Sequence, residues 1–220
     1  YHFIDYIYTV LAAIKGLGWQ RCYLLGHSLG AGIASFTAAA DPDRICGLFL
    51  IDGLGPHSEK PDNAATRLRK SIRKSTNVSK SSLTTYASIE TMIEARCRVG
   101  SINIGGARLL VERNAMKVEN GFSWRTDPRL LDPSPQYMTE EQVRSILGVI
   151  TVPTLLGLAS NGPLKTRPET AGRIDAFGEI EVLEFHGDHH FHLDDPQLLA
   201  QEINRFLAMS EANLANTTLC

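Results

Sequence analysis

Apolar positions along the chain follow two rhythms. Residues 1–16 set Phe3, Ile4, Ile7, Val10, Leu11 and Ile14 at helical spacing, which predicts an amphipathic helix ended by Gly16-Leu17-Gly18. Cys22 to Leu25 is a short continuous apolar run, enough for one buried strand at about 21–26. Gly26-His27-Ser28-Leu29-Gly30 interrupts it, and the nearly unbroken apolar stretch Ala31 to Ala40 reads as a buried helix stopped by Asp41-Pro42-Asp43. Cys46 to Ile51 is a second strand, closed by Asp52-Gly53. Apolar strand, helix and apolar strand in succession read as a parallel βαβ unit.

Residues 53–150 change character: strand-like runs vanish and helices are predicted over 82–98, 104–117 and 139–148. Thr139 and Gln142 have the spacing of a capping box at the start of the last. The basic run Arg67, Arg69, Lys70, Arg73 and Lys74 reads as a solvated helix face. Strands return at 152–158 and at Ile180 to Phe185, separated by a helix from Pro168 to Phe177. A His-rich turn follows, then a closing helix from Pro196 to Ala208 and a loose tail of ten residues. The expected organisation is a core at 1–52 and 151–220 with a helical insertion at 53–150.

At 220 residues the chain suits one domain with an inserted subdomain. A formal net charge of −2 argues against nucleic acid as an obligatory partner. No stretch approaches the roughly 20 apolar residues of a membrane span. Cys22, Cys46, Cys97 and Cys220 are scattered without metal-type spacing, which favours free thiols and an intracellular, reducing compartment such as the cytoplasm. Asn77-Val78-Ser79 and Asn216-Thr217-Thr218 match the N-glycosylation pattern, but nothing else suggests secretion. The chain opens at Tyr1 without a methionine and shows no signal-peptide pattern, so the expectation is that its true N-terminus is absent.

The chemistry centres on Gly26-His27-Ser28-Leu29-Gly30. Gly-x-Ser-x-Gly between a strand and a helix is the context of a nucleophile elbow, in which a strained turn lifts a serine hydroxyl clear of the backbone. The glycines at 26 and 30 are expected to let strand and helix approach closely. The helix N-terminus, with the N–H of Leu29, offers positive potential to a developing oxyanion. A serine nucleophile needs a base and a carboxylate to orient it. Four histidines compete for the base, His186, His189, His190 and His192, and Gly187-Asp188-His189 puts His189 at a turn. Strand carboxyl ends line the crevice of an open α/β sheet, so this turn and the elbow can share one rim.

The elbow, Leu48-Phe49-Leu50-Ile51-Asp52-Gly53, Val152-Pro153-Thr154-Leu155-Leu156 and the run from Gly187 to Pro196 stand in the order seen in α/β-hydrolases. The chain most resembles the serine hydrolase-like branch, through Ile51 to Pro56 and Trp124 to Leu130 as well. That resemblance implies a partial α/β-hydrolase fold, a mostly parallel sheet of about four strands, with a helical cap after the second visible strand. It implies a catalytic histidine seven residues before the proline of the final helix, which is His189, with His190 as runner-up. Many such hydrolases carry the acid just beyond the strand that here begins Pro-Thr-Leu-Leu, but Ala159-Ser160-Asn161-Gly162-Pro163 has no carboxylate. A subset places it after the strand that follows the nucleophile helix, where Asp52 stands, 24 residues beyond Ser28. Asp188 is disfavoured because adjacent side chains on a turn diverge, and Asn161 would orient an imidazole without balancing its charge.

The resemblance also implies about eight strands and a second oxyanion donor from an earlier loop; neither is visible, so the expectation is the C-terminal part of the fold. Loss of one such donor costs about 10²–10³ in rate. The expected function is hydrolysis of an ester or related acyl bond in a small-molecule substrate, through an acyl-enzyme and without metal or organic cofactor. The cap would close over the site as lids do. Family resemblance adds the peroxisome as an alternative location. A truncated relative that binds without catalysis is the second reading. A zinc protein is the third, built on His186, His189, His190, His192, Asp188, Asp194 and Asp195; no second cluster completes it.

Overall fold

The computed structural model describes residues 2–76 and 84–217. The Asn77 glycosylation pattern, residues 82–83 of the helix expected over 82–98, Thr218 of the second pattern and Cys220 lie outside the described residues. In chain order the elements begin with α1 (Phe3–Gly16), β1 (Cys22–His27), α2 (Leu29–Ala40) and β2 (Ile45–Ile51). Then come α3 (Ala64–Thr76), α4 (Ile89–Val99), α5 (Ile104–Asn114), β3 (Ala115–Val118) and β4 (Gly121–Trp124). The chain continues through α6 (Glu140–Leu147), β5 (Thr154–Ala159), α7 (Pro163–Thr166), α8 (Thr170–Ile174), β6 (Ile180–Phe185), α9 (Phe191–Asp194) and α10 (Pro196–Thr217). It divides into two compact units, one formed by His2–Ser58 together with Met138–Cys220 and one by Glu59–Tyr137.

The larger unit is an α/β fold on a four-stranded sheet of order β1-β2-β5-β6, with every pairing parallel. All seven residues of β2 are buried, which is why its sequence is continuously apolar. Its side chains alternate between faces. Leu48 and Leu50 join Phe36, Leu54, Val143, Leu147 and Leu156 in the main core. Phe49 meets Leu155 and Phe206, and Ile51 meets Phe185, Phe191 and Leu199, so α10 covers that face. On α1, Ile7 and Ile14 are buried, and Phe3 packs edge-on against Phe36 of α2 at 5.1 Å. The polar residues of α2 are satisfied locally: Ser35 Oγ donates to Ala31 O and Thr37 Oγ1 to Ile33 O. Cys22 and Cys46 are free thiols.

The smaller unit holds α3, α4, α5 and a hairpin. Ser88 and Asn103 cap α4 and α5 through the N–H groups of Thr91 and Gly106. Residues 64–74 of α3 are all exposed or half-buried, and Arg67 lies 3.6 Å over the Tyr137 ring.

The β3–β4 hairpin overturns the expectation that strands are absent from 53–150. The helix predicted over 104–117 stops at Asn114, and Ala115–Val118 pairs antiparallel with Gly121–Trp124. Asn120-Gly121 is the turn signal, and Gly121 has φ +133°. Tyr86 extends the pairing through reciprocal 2.8 Å bonds with Phe122. The helix expected from Pro168 to Phe177 is shorter, Thr170–Ile174, and a separate turn, α7, precedes it. The closing helix runs to Thr217, past the expected end at Ala208 and into the expected loose tail. No helix among the described residues is long and apolar enough to cross a membrane.

Candidate active site

The sheet register brings the candidate residues to one level. His27 pairs with Ile51, so Ser28 and Asp52 leave the carboxyl ends of adjacent strands together. Ser28 N–H donates to Ile51 O at 2.9 Å, and Asp52 N–H donates to Gly157 O at 2.8 Å. Both residues have positive φ, 56° at Ser28 and 41° at Asp52, and they are the only described non-glycine residues that do. Such backbone costs about 1–3 kcal/mol per residue and persists only where the surroundings impose it.

The surroundings at Ser28 are close backbone contacts. A Cβ on Gly26 would stand 2.2 Å from Gly30 O, and one on Gly53 would stand 2.2 Å from Ser28 O. Gly30 itself has open space within 4 Å, which corrects the expectation that its missing side chain permits the approach. Gly32 contributes instead, packed on the backbone of Gly55. Ser28 immediately precedes α2, and the N–H of Leu29, the first helical residue, has no intrahelical acceptor.

His189 sits four residues beyond the end of β6. Its Nε2 lies 2.8 Å from Ser28 Oγ and its Nδ1 lies 2.6 Å from Asp52 Oδ2. An ionised carboxylate only accepts, so Nδ1 carries the proton and Nε2 receives the serine hydroxyl. The Asp52 side chain is fully buried, and Ala159 N–H donates to its other oxygen at 3.3 Å. The His-rich turn is tied down at several points. Asn161 N–H donates to Gly187 O, Gly187 N–H to Ser160 Oγ, and His27 Nε2–H to His189 O at 2.8 Å.

The remaining candidates separate. His186 is exposed, and Asp195 accepts from Leu198 N–H at the start of α10. Asp188 accepts from Phe191 N–H through its backbone carbonyl and so shapes the turn. Asn161 is exposed and takes part through its backbone. His190 and His192 gather against His27, with ring centroids 4.9 and 4.2 Å away. Burial, and then the neighbouring His27 and His189, push His192 down to about 4. Sequence reasoning passes over His27, although its place beside Ser28 is a signal.

One further residue supports the rim. Arg173, 5% exposed, donates through Nη1 to Leu54 O and Pro56 O at 2.6 and 2.8 Å. Its other nitrogens meet Glu140 at 2.9 and 2.6 Å, and Nη2 reaches Ser58 Oγ at 3.1 Å. The segment that leaves Asp52 is thereby pinned to α6 and α8. No spacing in the sequence joins residues 54, 140 and 173.

Comparison with known proteins agrees with this architecture. A family profile for the alpha/beta hydrolase fold matches residues 1–73. A serine hydrolase-like protein of Dictyostelium discoideum is 28% identical over 94% of this chain and 61% of its own length. The chain therefore spans about three-fifths of that relative. A hypothetical protein from Pseudomonas aeruginosa PAO1 is 36% identical with a TM-score of 0.87, over 96% of this chain and 75% of that one. A thioesterase domain from the curacin biosynthetic pathway is 23% identical with a TM-score of 0.75, over 92% of this chain and 73% of its own, and shares the fold. The chain belongs to the α/β-hydrolase superfamily, in the branch of the serine hydrolase-like proteins.

Proposed function

We propose that Ser28, His189 and Asp52 form the catalytic triad of a serine hydrolase, with Ser28 on its nucleophile elbow. The substrate class is a small molecule with an ester or related acyl bond. The observation that carries this reading is the unbroken line from Ser28 Oγ to His189 Nε2, 2.8 Å, and from His189 Nδ1 to Asp52 Oδ2, 2.6 Å. Asp52 holds the imidazole in the tautomer whose lone pair faces Ser28. His189 takes the hydroxyl proton as Oγ bonds to the acyl carbon, and the carbonyl electron pair moves onto oxygen. Leu29 N–H and the N-terminus of α2 supply hydrogen bonding and positive potential to that oxyanion. The imidazolium then gives its proton to the leaving alkoxide, and the acyl-enzyme forms. Water, deprotonated by His189, attacks the acyl carbon and releases the acid with Ser28 restored.

A fluorophosphonate probe tests the reading directly. Ser28 becomes phosphonylated, as read by peptide mass, and Ser28→Ala abolishes the adduct. A folded chain that forms no adduct at Ser28 refutes the proposal.

A further inference from the structure

We propose that His27, His190 and His192 form a site for a divalent transition-metal ion of the zinc class, separate from the line of Ser28, His189 and Asp52. Each of the three offers a ring nitrogen, and these atoms lie within 4.8 Å of one another. All three belong to the larger unit and are partly buried. The ring centroids stand 4.2 Å apart for His27 and His192, 4.9 Å for His27 and His190, and 5.7 Å for His190 and His192. Zinc binds imidazole nitrogen at about 2.0–2.1 Å in tetrahedral geometry, which sets donor atoms roughly 3.3 Å apart. Rotations about the side-chain torsions therefore have to close the widest separation by up to about 1.5 Å.

Two further observations point the same way. His27 donates Nε2–H to the carbonyl of His189 at 2.8 Å. A neutral histidine held so presents its lone pair at Nδ1, and a backbone carbonyl is the usual outer partner of a metal-bound histidine. His192 Nδ1 is buried, and no hydrogen-bond partner meets it among the described residues. A buried polar nitrogen without a partner is costly, and a metal would satisfy it. Imidazole ligands favour zinc, copper and nickel over the hard cations magnesium and calcium. Three protein ligands leave a fourth position for water. The cluster differs from the histidine–aspartate set read along the sequence, because the fold substitutes His27 for His186 and gives His189 to Ser28.

The test is calorimetric titration of the whole chain with zinc chloride at neutral pH after dialysis against chelator. One zinc binds per chain, at micromolar concentration or below. His192→Ala and His190→Ala each weaken binding at least tenfold, His186→Ala leaves it unchanged, and Ser28→Ala retains it. Circular dichroism checks the fold of each variant. Cobalt bound to the unaltered chain gives the intense ligand-field absorption of a tetrahedral nitrogen site, a readout that needs no variant. The proposal is overturned by absent or non-stoichiometric zinc, by a weak octahedral cobalt spectrum, or by binding that folded His190→Ala or His192→Ala keeps. Loss of binding in folded Ser28→Ala removes the claim of a separate site. Zinc binding and serine labelling are read independently, so either can fail alone.

Discussion

Gly162 packs its Cα directly against the carboxylate of Asp52: a Cβ built there would stand 2.4 Å from Oδ2 and 2.7 Å from Oδ1. The loop after β5 thus leaves the space that the carboxylate fills. Gly162→Ala is expected to push Asp52 off His189, slowing fluorophosphonate labelling at least tenfold and costing about 1–3 kcal/mol of stability as overpacking does. Gly30→Ala is the contrast, since open space surrounds that position. Thermal unfolding should show it as stable as the parent or more so, because alanine favours helix by up to about 1 kcal/mol.

Asp52, proposed as the orienting acid, and Asn161, the residue in the loop where many related hydrolases carry theirs, separate by substitution. Asp52→Asn keeps the shape but lets the imidazole take the wrong tautomer, which in a serine triad lowers turnover about 10⁴-fold. Asn161→Ala should leave the labelling rate within about twofold, because the Asn161 side chain is exposed and alanine keeps the backbone N–H that holds Gly187. Equal losses in the two variants would displace Asp52 from its role.

Ser28 shows where backbone strain is held. With φ 56°, its Cβ is opposed by the backbone. Ser28→Gly and Ser28→Ala both remove the hydroxyl, but only glycine relieves the strain, so Ser28→Gly should be more stable by about 1 kcal/mol. Urea unfolding of the two variants measures the difference. Equal midpoints would mean that the strained turn stores nothing.

Arg173 and Glu140 carry a stability prediction with a pH signature. Arg173→Met leaves Leu54 O, Pro56 O and Glu140 without their donor and should cost about 3–5 kcal/mol. Burial works to raise the carboxyl of Glu140, but hydrogen bonds from Arg173 and Ser58 and the guanidinium charge outweigh it and hold the carboxyl below its usual range. A carboxyl that ionises more readily in the fold stabilises it fully above the unfolded value near 4.5, and that contribution is lost as pH falls through the lower folded value. Glu140→Gln should therefore be less stable than the parent at pH 7, and the gap should narrow below pH 4.5. Denaturant midpoints across that range read the convergence; a constant gap would contradict it.

Local order was legible wherever neighbours in sequence decide it. The run from Cys22 to Ala40 declares strand, turn and helix through apolar continuity broken by Gly26 to Gly30, and Thr139 and Gln142 announce the cap that α6 uses. Where local signals conflicted, the pattern misled: Asn120-Gly121 closes a hairpin inside a stretch whose composition reads as helix. By itself the sequence determined the four strands of the parallel sheet, the glycine-bounded turn at Ser28 and the short list of histidines and carboxylates, because periodicity and glycine placement act over a few residues. Only the tertiary structure decided which of them meet. Parallel register sets Ser28 level with Asp52, the loop carrying His189 crosses the end of β5 to reach both, and His27 gathers the histidines left over. Arg173 joins segments more than 110 residues apart for the same reason. Such contacts arise when buried polar groups find partners during packing, and no spacing along the chain records them.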